Sequence, residues 1–242
     1  MILKTNERIA LNPAYVLHQY DWRETSRIVE IFSRDHGRLG LVARGSRRTK
    51  SPWRAVLRPF QPLLLSWVGG GDLATLVGAE SDYVPHSLAS HALMSGFYMN
   101  ELLLRLLPRQ DPHPELFRQY GETLSQLTRT TATALRLFEM NLLAALGYGL
   151  DLERDATTGQ LLETDAIYNY DPVYGLVRIQ DTAGSANGVR GSTLLALANG
   201  NLQHPGQLSD ARHLLQTALN HLLGDKPLKT REVMRAFMKV RT

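Results

Sequence analysis

Seven basic residues stand in a stretch that holds no acid. From His36 to Gly71 the chain carries Arg38, Arg44, Arg47, Arg48, Lys50, Arg54 and Arg58, with neither Asp nor Glu between them. The densest part reads Arg44-Gly-Ser-Arg-Arg-Thr-Lys. Guanidinium and ammonium groups gathered without counter-charges suit phosphate. They displace the counterions condensed on a nucleic-acid backbone and need read no base. Trp53, inside the same run, is placed either to stack on a base or to join a core. A merely solvated loop is the alternative reading of Arg47, Arg48 and Lys50. A second basic cluster comprises Lys226, Lys229, Arg231, Arg235, Lys239 and Arg241, opposed by Glu232 alone. Cations in a last helix also complement its dipole, so helix chemistry and binding both remain open there.

Other residue types offer less. Glu101 and Glu139 each sit in an apolar helical run, where paired structural carboxylates account for them better than acid–base catalysis. His86 and His91 are five apart, and on a helix they diverge too far to share a metal. Gly69-Gly70-Gly71 lies between two strand-like runs and reads as a hairpin turn. The sequence holds no Gly-x-x-x-x-Gly-Lys-Ser/Thr, Gly-x-Gly-x-x-Gly, His-Glu-x-x-His or Gly-x-Ser-x-Gly motif. It has no cysteine, which removes disulfides, thiolate metal sites and thiol nucleophiles together. The expectation is a protein that binds and does not catalyse, with no cofactor and no metal.

The elements that must hold these residues change character near residue 85. Ala14–Tyr20, Arg27–Ser33, Leu39–Arg44, Pro62–Val68 and Asp72–Glu80 read as strands between turn signals. Pro52–Leu57 reads as a short helix after the third. Period-two alternation puts Leu39, Leu41 and Ala43 on one face and Arg38 and Arg44 on the other. Five short strands with a helix after the third predict a small barrel of the OB type, although a sandwich or SH3-like barrel suits the strand count too. Helices succeed them at Ser87–Leu107, Pro114–Leu127, Thr133–Leu146, Ser192–Ala198, Gln207–Leu223 and Lys229–Val240. The segment Asp151–Val189 is different. Residues 151–171 carry six acids against Arg154, and β-like fragments occur at Ala166–Tyr170 and Gly175–Ile179. The fold class is therefore α+β: an N-terminal OB-type β-barrel over 1–82, then a helical domain over 83–242 with a small irregular β-containing insertion at about 151–190. Basic residues outnumber acidic ones by only 27 to 23, so it is the distribution of charge that points to nucleic acid. With no leader-like run at Met1–Pro13 and no apolar stretch long enough to span a bilayer, the expected location is the cytoplasm, at the nucleoid.

Several blocks carry a resemblance. Ala14-Tyr-Val-Leu-His, Glu24-Thr-Ser, Gly37-Arg-Leu-Gly-Leu-Val-Ala-Arg-Gly-Ser-Arg-Arg and Leu57-Arg-Pro-Phe-Gln-Pro-Leu-Leu-Leu look like the N-terminal half of the RecO family of recombination mediators. Tyr98-Met-Asn-Glu-Leu-Leu, Leu135-Arg-Leu-Phe-Glu-Met-Asn-Leu-Leu-Ala-Ala-Leu-Gly-Tyr-Gly and Lys226-Pro-Leu-Lys-Thr-Arg-Glu continue it in the same order. The resemblance implies an OB domain followed by a helical one. It also implies sequence-blind binding to single- and double-stranded DNA, strand annealing, and help for RecA in displacing the single-strand-binding protein together with RecR. Many members carry a four-cysteine zinc site after the Leu-Gly-Tyr block. This sequence has none there, so a metal-free insertion is expected.

Seizing the single-strand-binding protein requires a receptor for its acidic, aromatic-ended tail: an apolar pocket with a basic rim. Phe97, Leu102 and Phe138, with Arg105 and Arg136, are the candidates in the helical part. An OB-fold protein acting on RNA, and an adaptor with no nucleic-acid role, are the other functions that the charge map allows.

Overall fold

Inward and outward residues alternate along the first five strands, and the sheet they form closes on itself. The computed structural model describes residues 7–81, 88, 90–179 and 188–240, so His86 and Arg241 lie outside it. Strands β1 (Arg8–Trp22), β2 (Ser26–Ser33), β3 (Gly37–Ala43), β4 (Leu63–Val68) and β5 (Leu73–Ser81) form a closed barrel in the order β1-β2-β3-β5-β4. Helix α1 (Trp53–Val56) lies between β3 and β4. All neighbours run antiparallel except β3 and β5, which are parallel. This is the OB-type barrel, closed through the β1–β4 and β3–β5 pairs.

The interior is filled from alternate positions. Val29 and Ile31, then Leu39, Leu41 and Ala43, then Leu63, Leu65 and Trp67 all turn inward to one core. Trp53 packs against that core, and its indole nitrogen donates to the Arg44 carbonyl at 3.2 Å, so it serves the barrel wall. Strand β1 is twice as long as the alternation over Ala14–Tyr20 predicts. Its register slips near Leu11, which adopts a positive φ of 48°, and again near His18. The bends let one strand serve both β2 and β4. Gly69 and Gly71, both at positive φ, turn β4 into the antiparallel β5 as the glycine run predicts.

Two helices pack on this barrel. In α2 (Ser90–Leu106) the buried Asn100 donates to the Leu17 carbonyl at 2.9 Å, and the Tyr120 hydroxyl of α3 (Pro114–Gln126) donates to the Asn100 amide oxygen at 2.6 Å. Tyr15 of β1 lies against Phe117 and Tyr120, with ring centroids 5.1 and 4.9 Å away. The segment between α2 and α3 straps β3. Arg38 donates to the Leu107 carbonyl, and the Gln110 amide donates to the Arg38 carbonyl. At Gly37, with φ +65°, a Cβ would lie 2.1 Å from the Asp111 carbonyl oxygen, so both backbone angle and space demand glycine. Helix α7 (Lys229–Val240) returns to α2 and is capped by it: Glu101 accepts from the Lys229 and Thr230 amides at 2.8 and 2.9 Å.

The described residues up to Thr128 and from Leu228 onward form one compact unit, and Arg129–Pro227 a second. The second holds α4 (Thr131–Ala145), β6 (Ile167–Asp171), β7 (Gly175–Arg178), β8 (Val189–Arg190), α5 (Gly191–Ala198) and α6 (Pro205–Leu223). Phe138, Leu142, Leu143, Leu194, Leu197, Leu215 and Leu219 are fully buried in it. The three strands make a small sheet in the order β7-β6-β8. Before it the chain folds around Asp155, whose carboxylate accepts from the amides of Thr157, Thr158 and Arg178. Arg178 in turn donates to Glu163 from both terminal guanidinium nitrogens. Among the described residues no three His, Asp or Glu side chains gather as a metal site, and no helix is long and apolar enough to cross a membrane.

Candidate nucleic-acid interface

One end of the barrel carries an open groove of about 650 Å³ between the β1–β2 turn, the end of β3 and β5. Its lining is Trp22, Arg23, Thr25, Ser26, Val42, Arg44, Gly45, Arg48 and Thr75. Among the described residues, three arginines and no carboxylate line it. Arg44 directly follows β3 and is exposed, on the outward side that the alternation predicts, and Arg48 comes one turn later. Within that turn the Arg48 amide bonds to the Gly45 carbonyl at 3.1 Å. Arg23 stands in the β1–β2 turn at a positive φ of 53°.

The remaining nominated cations are placed differently. Arg47 is drawn toward the β1–β2 turn, with its side chain 3.4 Å from Asp21 and donating to the Arg23 carbonyl, so it braces the groove wall. Lys50, Arg54 and Arg58 are exposed on the loop, on α1 and just after it, outside the groove lining. Arg38 lies on the outer barrel wall in a network of its own. It reaches Glu30 at 3.3 Å, Arg109 from the strap reaches the same carboxylate, and the Tyr20 hydroxyl donates to it. Glu30 is only 2% exposed. Burial, then the hydrogen bond to Glu30 and its charge, push the Tyr20 hydroxyl up to about 12. Burial and the neighbouring Arg109 hold the Arg38 guanidinium below its usual value.

The five residues nominated for a partner tail fall in both compact units. Phe97, Leu102 and Arg105 belong to the first, Arg136 and Phe138 to the second. Leu102 and Phe138 are fully buried. Arg136 is buried and paired with Glu139 at 2.8 Å. Phe97 is exposed on α2, with its ring 5.0 Å from that of Phe60, and Arg105 is half-buried in the last turn of the same helix. In the C-terminal cluster, Arg231 lies over the Tyr98 ring, which gives this cation a packing role in α7.

Sequence reasoning missed Trp22 and Arg23 because it ended the first strand at Tyr20 and began the next at Arg27. Carrying the alternation two residues further would have put Trp22 on the outward face with Tyr20. It missed Glu30 because Arg38, eight residues on, was assigned to phosphate, and the second guanidinium, Arg109, lies 79 residues on.

Comparisons with known proteins agree with this architecture. Residues 9–82 match the family model for the Recombination protein O N terminal, and residues 89–232 that for the Recombination protein O C terminal. The chain is 44% identical over 239 residues to the DNA repair protein RecO of Aromatoleum aromaticum, covering 98% of this chain and 100% of that one. It is 48% identical over 233 residues to that of Alkalilimnicola ehrlichii, covering 96% and 93%. The match to that of Nitrosococcus oceani is 47% over 229 residues, covering 94% and 93%. Matched nearly end to end by these relatives and by both family models, this chain of an OB-type barrel followed by helices belongs to the RecO family of DNA repair and recombination proteins.

Proposed function

We propose that this protein is a recombination mediator that acts by binding, without making or breaking covalent bonds. Its ligands are single- and double-stranded DNA, held without sequence preference. It anneals complementary strands and helps load RecA onto DNA coated with single-strand-binding protein, working with RecR at the nucleoid. The observation that carries this reading is the groove lined by Arg23, Arg44 and Arg48, with no carboxylate among the described residues that line it. Phosphate contacts of that kind give affinity that is blind to sequence and falls with salt, which suits a protein that must take up strands and release them. In the same proposal the acidic tail of the single-strand-binding protein docks on the helical part, where Phe97 offers an aromatic surface and Arg105 a cation on one helix.

The test is the double variant Arg44→Glu/Arg48→Glu. Its affinity for unrelated DNA sequences should fall about equally, and the slope of affinity against salt should flatten by roughly one unit per contact removed. Annealing of complementary oligonucleotides coated with single-strand-binding protein should slow in parallel. Unchanged affinity in a variant that still folds would refute the groove as the DNA site.

A further inference from the structure

We propose that Trp22 is a stacking platform for an unpaired nucleobase, and that it makes the groove favour single strands over duplex; this rests on the groove being the DNA site. Trp22 pairs with Ser26 and Tyr20 with Ile28 across β1 and β2. Ile28 pairs with Val42 across β2 and β3, and Val42 with Thr75 across β3 and β5. Paired residues share a face, so Tyr20, Ile28, Val42 and Thr75 form one outward row, with Trp22 and Ser26 in the row beside it.

The rows below are already occupied. Glu30 pairs with Gly40 and Phe32 with Arg38, and there the Glu30 network and the strap cover the wall. Arg109 donates to the Asp72 carbonyl and closes that side. Glu30 and Arg38 are thus engaged below it, and the open groove lies at the end that carries Trp22. A strand laid there is short, toward the lower end of the footprint of an OB fold, roughly four nucleotides.

Trp22 is 40% exposed at this open end. A single exposed aromatic residue is ordinary on a protein surface. This one is flanked by Arg23, Arg44 and Arg48, whose side chains make no ion pair among the described residues. Trp53 is committed to the barrel core, and Trp67 is fully buried in it. The indole of Trp22 is therefore the one among the described tryptophans that is exposed in the groove, beside three cations. Phosphates need the cations, and a base with an uncovered face needs the ring. A duplex hides its base faces within the stack and engages the arginines alone. Pairing thus consumes the stacking contact, so an annealed product is held less tightly than the strands that formed it.

The experiment compares Trp22→Ala and Trp22→Phe with the wild type on three probes of equal length: oligothymidylate, the same strand with abasic sites, and a duplex. Stacking on one base predicts that Trp22→Ala weakens oligothymidylate binding about 5- to 150-fold. Abasic and duplex binding should change by no more than about twofold, the salt slope should be unaltered, and Trp22→Phe should recover most of the loss. Quenching of tryptophan fluorescence by oligothymidylate, present in the wild type, should be absent from Trp22→Phe. Equal losses on all three probes would overturn the proposal, because Trp22 would then only shape the groove. No loss on any probe would overturn it as well. In that event Arg44→Glu/Arg48→Glu separates the two readings: if it still loses affinity the groove remains the DNA site without stacking, and if it does not, both readings fall.

Discussion

Glu30 is the most consequential single carboxylate on the barrel. It is almost wholly enclosed and receives Arg38, Arg109 and the Tyr20 hydroxyl. Removing one partner from such a set leaves buried charge uncompensated, at a cost of about 3 kcal/mol. Glu30→Ala should therefore lower the thermal midpoint by several degrees, while Glu30→Gln, which keeps an acceptor oxygen, should lose less. The Tyr20 hydroxyl gives this network a pH signature. Its ordinary value is 10.0, and in the fold it is raised to about 12. Its contribution is thus complete below pH 10 and disappears as the pH climbs toward 12, because the unfolded chain ionises first. Denaturant titrations across that window should show a stability decline that Tyr20→Phe makes shallower; an identical decline in the variant would remove Tyr20 from the account. At this scale the sequence was legible where charge density spoke for itself, as at Arg44 and Arg48. It was opaque where a partner lies far along the chain, as for Arg109, or where a strand outlasts its obvious pattern, as at Trp22.

The elements were more readable than their joints. Alternation and turn residues place all five barrel strands, and helical periodicity places α2 to α7 to within a few residues, since both periods are local properties of the chain. What local pattern could not supply was the parallel seam between β3 and β5, the bends that lengthen β1, or the manner in which Asp151–Val189 holds together without cysteine. In that insertion Asp155 gathers three backbone amides, and these outweigh burial to hold its carboxyl below the ordinary range. A depressed carboxyl stabilises above its unfolded value, and the benefit goes as acid protonates it in the fold. Amides of Thr157, Thr158 and Arg178 should accordingly lose hydrogen-exchange protection when the pH falls below about 4, or in Asp155→Ala at neutral pH, with barrel amides unaffected. Elemental analysis of untagged protein should find zinc well below one per chain, and chelators should leave the thermal midpoint in place. Stoichiometric zinc, or a shift with chelator, would mean that other ligands hold the insertion.

For the molecule as a whole, the path of the chain matters as much as its contacts. The first compact unit is assembled from residues at both ends of the sequence, with Arg129–Pro227 forming the second between them. The charge contrast between a basic first segment and an acidic insertion was visible in composition. The return of α7 to α2 was not, because nothing in Tyr98-Met-Asn-Glu announces that Glu101 caps a helix begun 128 residues later. That single capping carboxylate also takes the Thr230 hydroxyl. Glu101→Ala removes all three bonds and should cost about 1 to 2 kcal/mol, appearing as faster proteolysis of α7 and α2 together. The same contact also has a meaning in time. A ribosome adding roughly 5 to 20 residues per second needs on the order of 6 to 26 s to travel from Glu101 to Lys229. The barrel strands have all emerged long before then, and α2 waits with its outer side unclothed. Biosynthesis therefore leaves an interval in which the nascent protein owns its groove but not its last helix. A chain released after Pro227 should remain cleavable in α2 at protease concentrations that the full-length protein withstands.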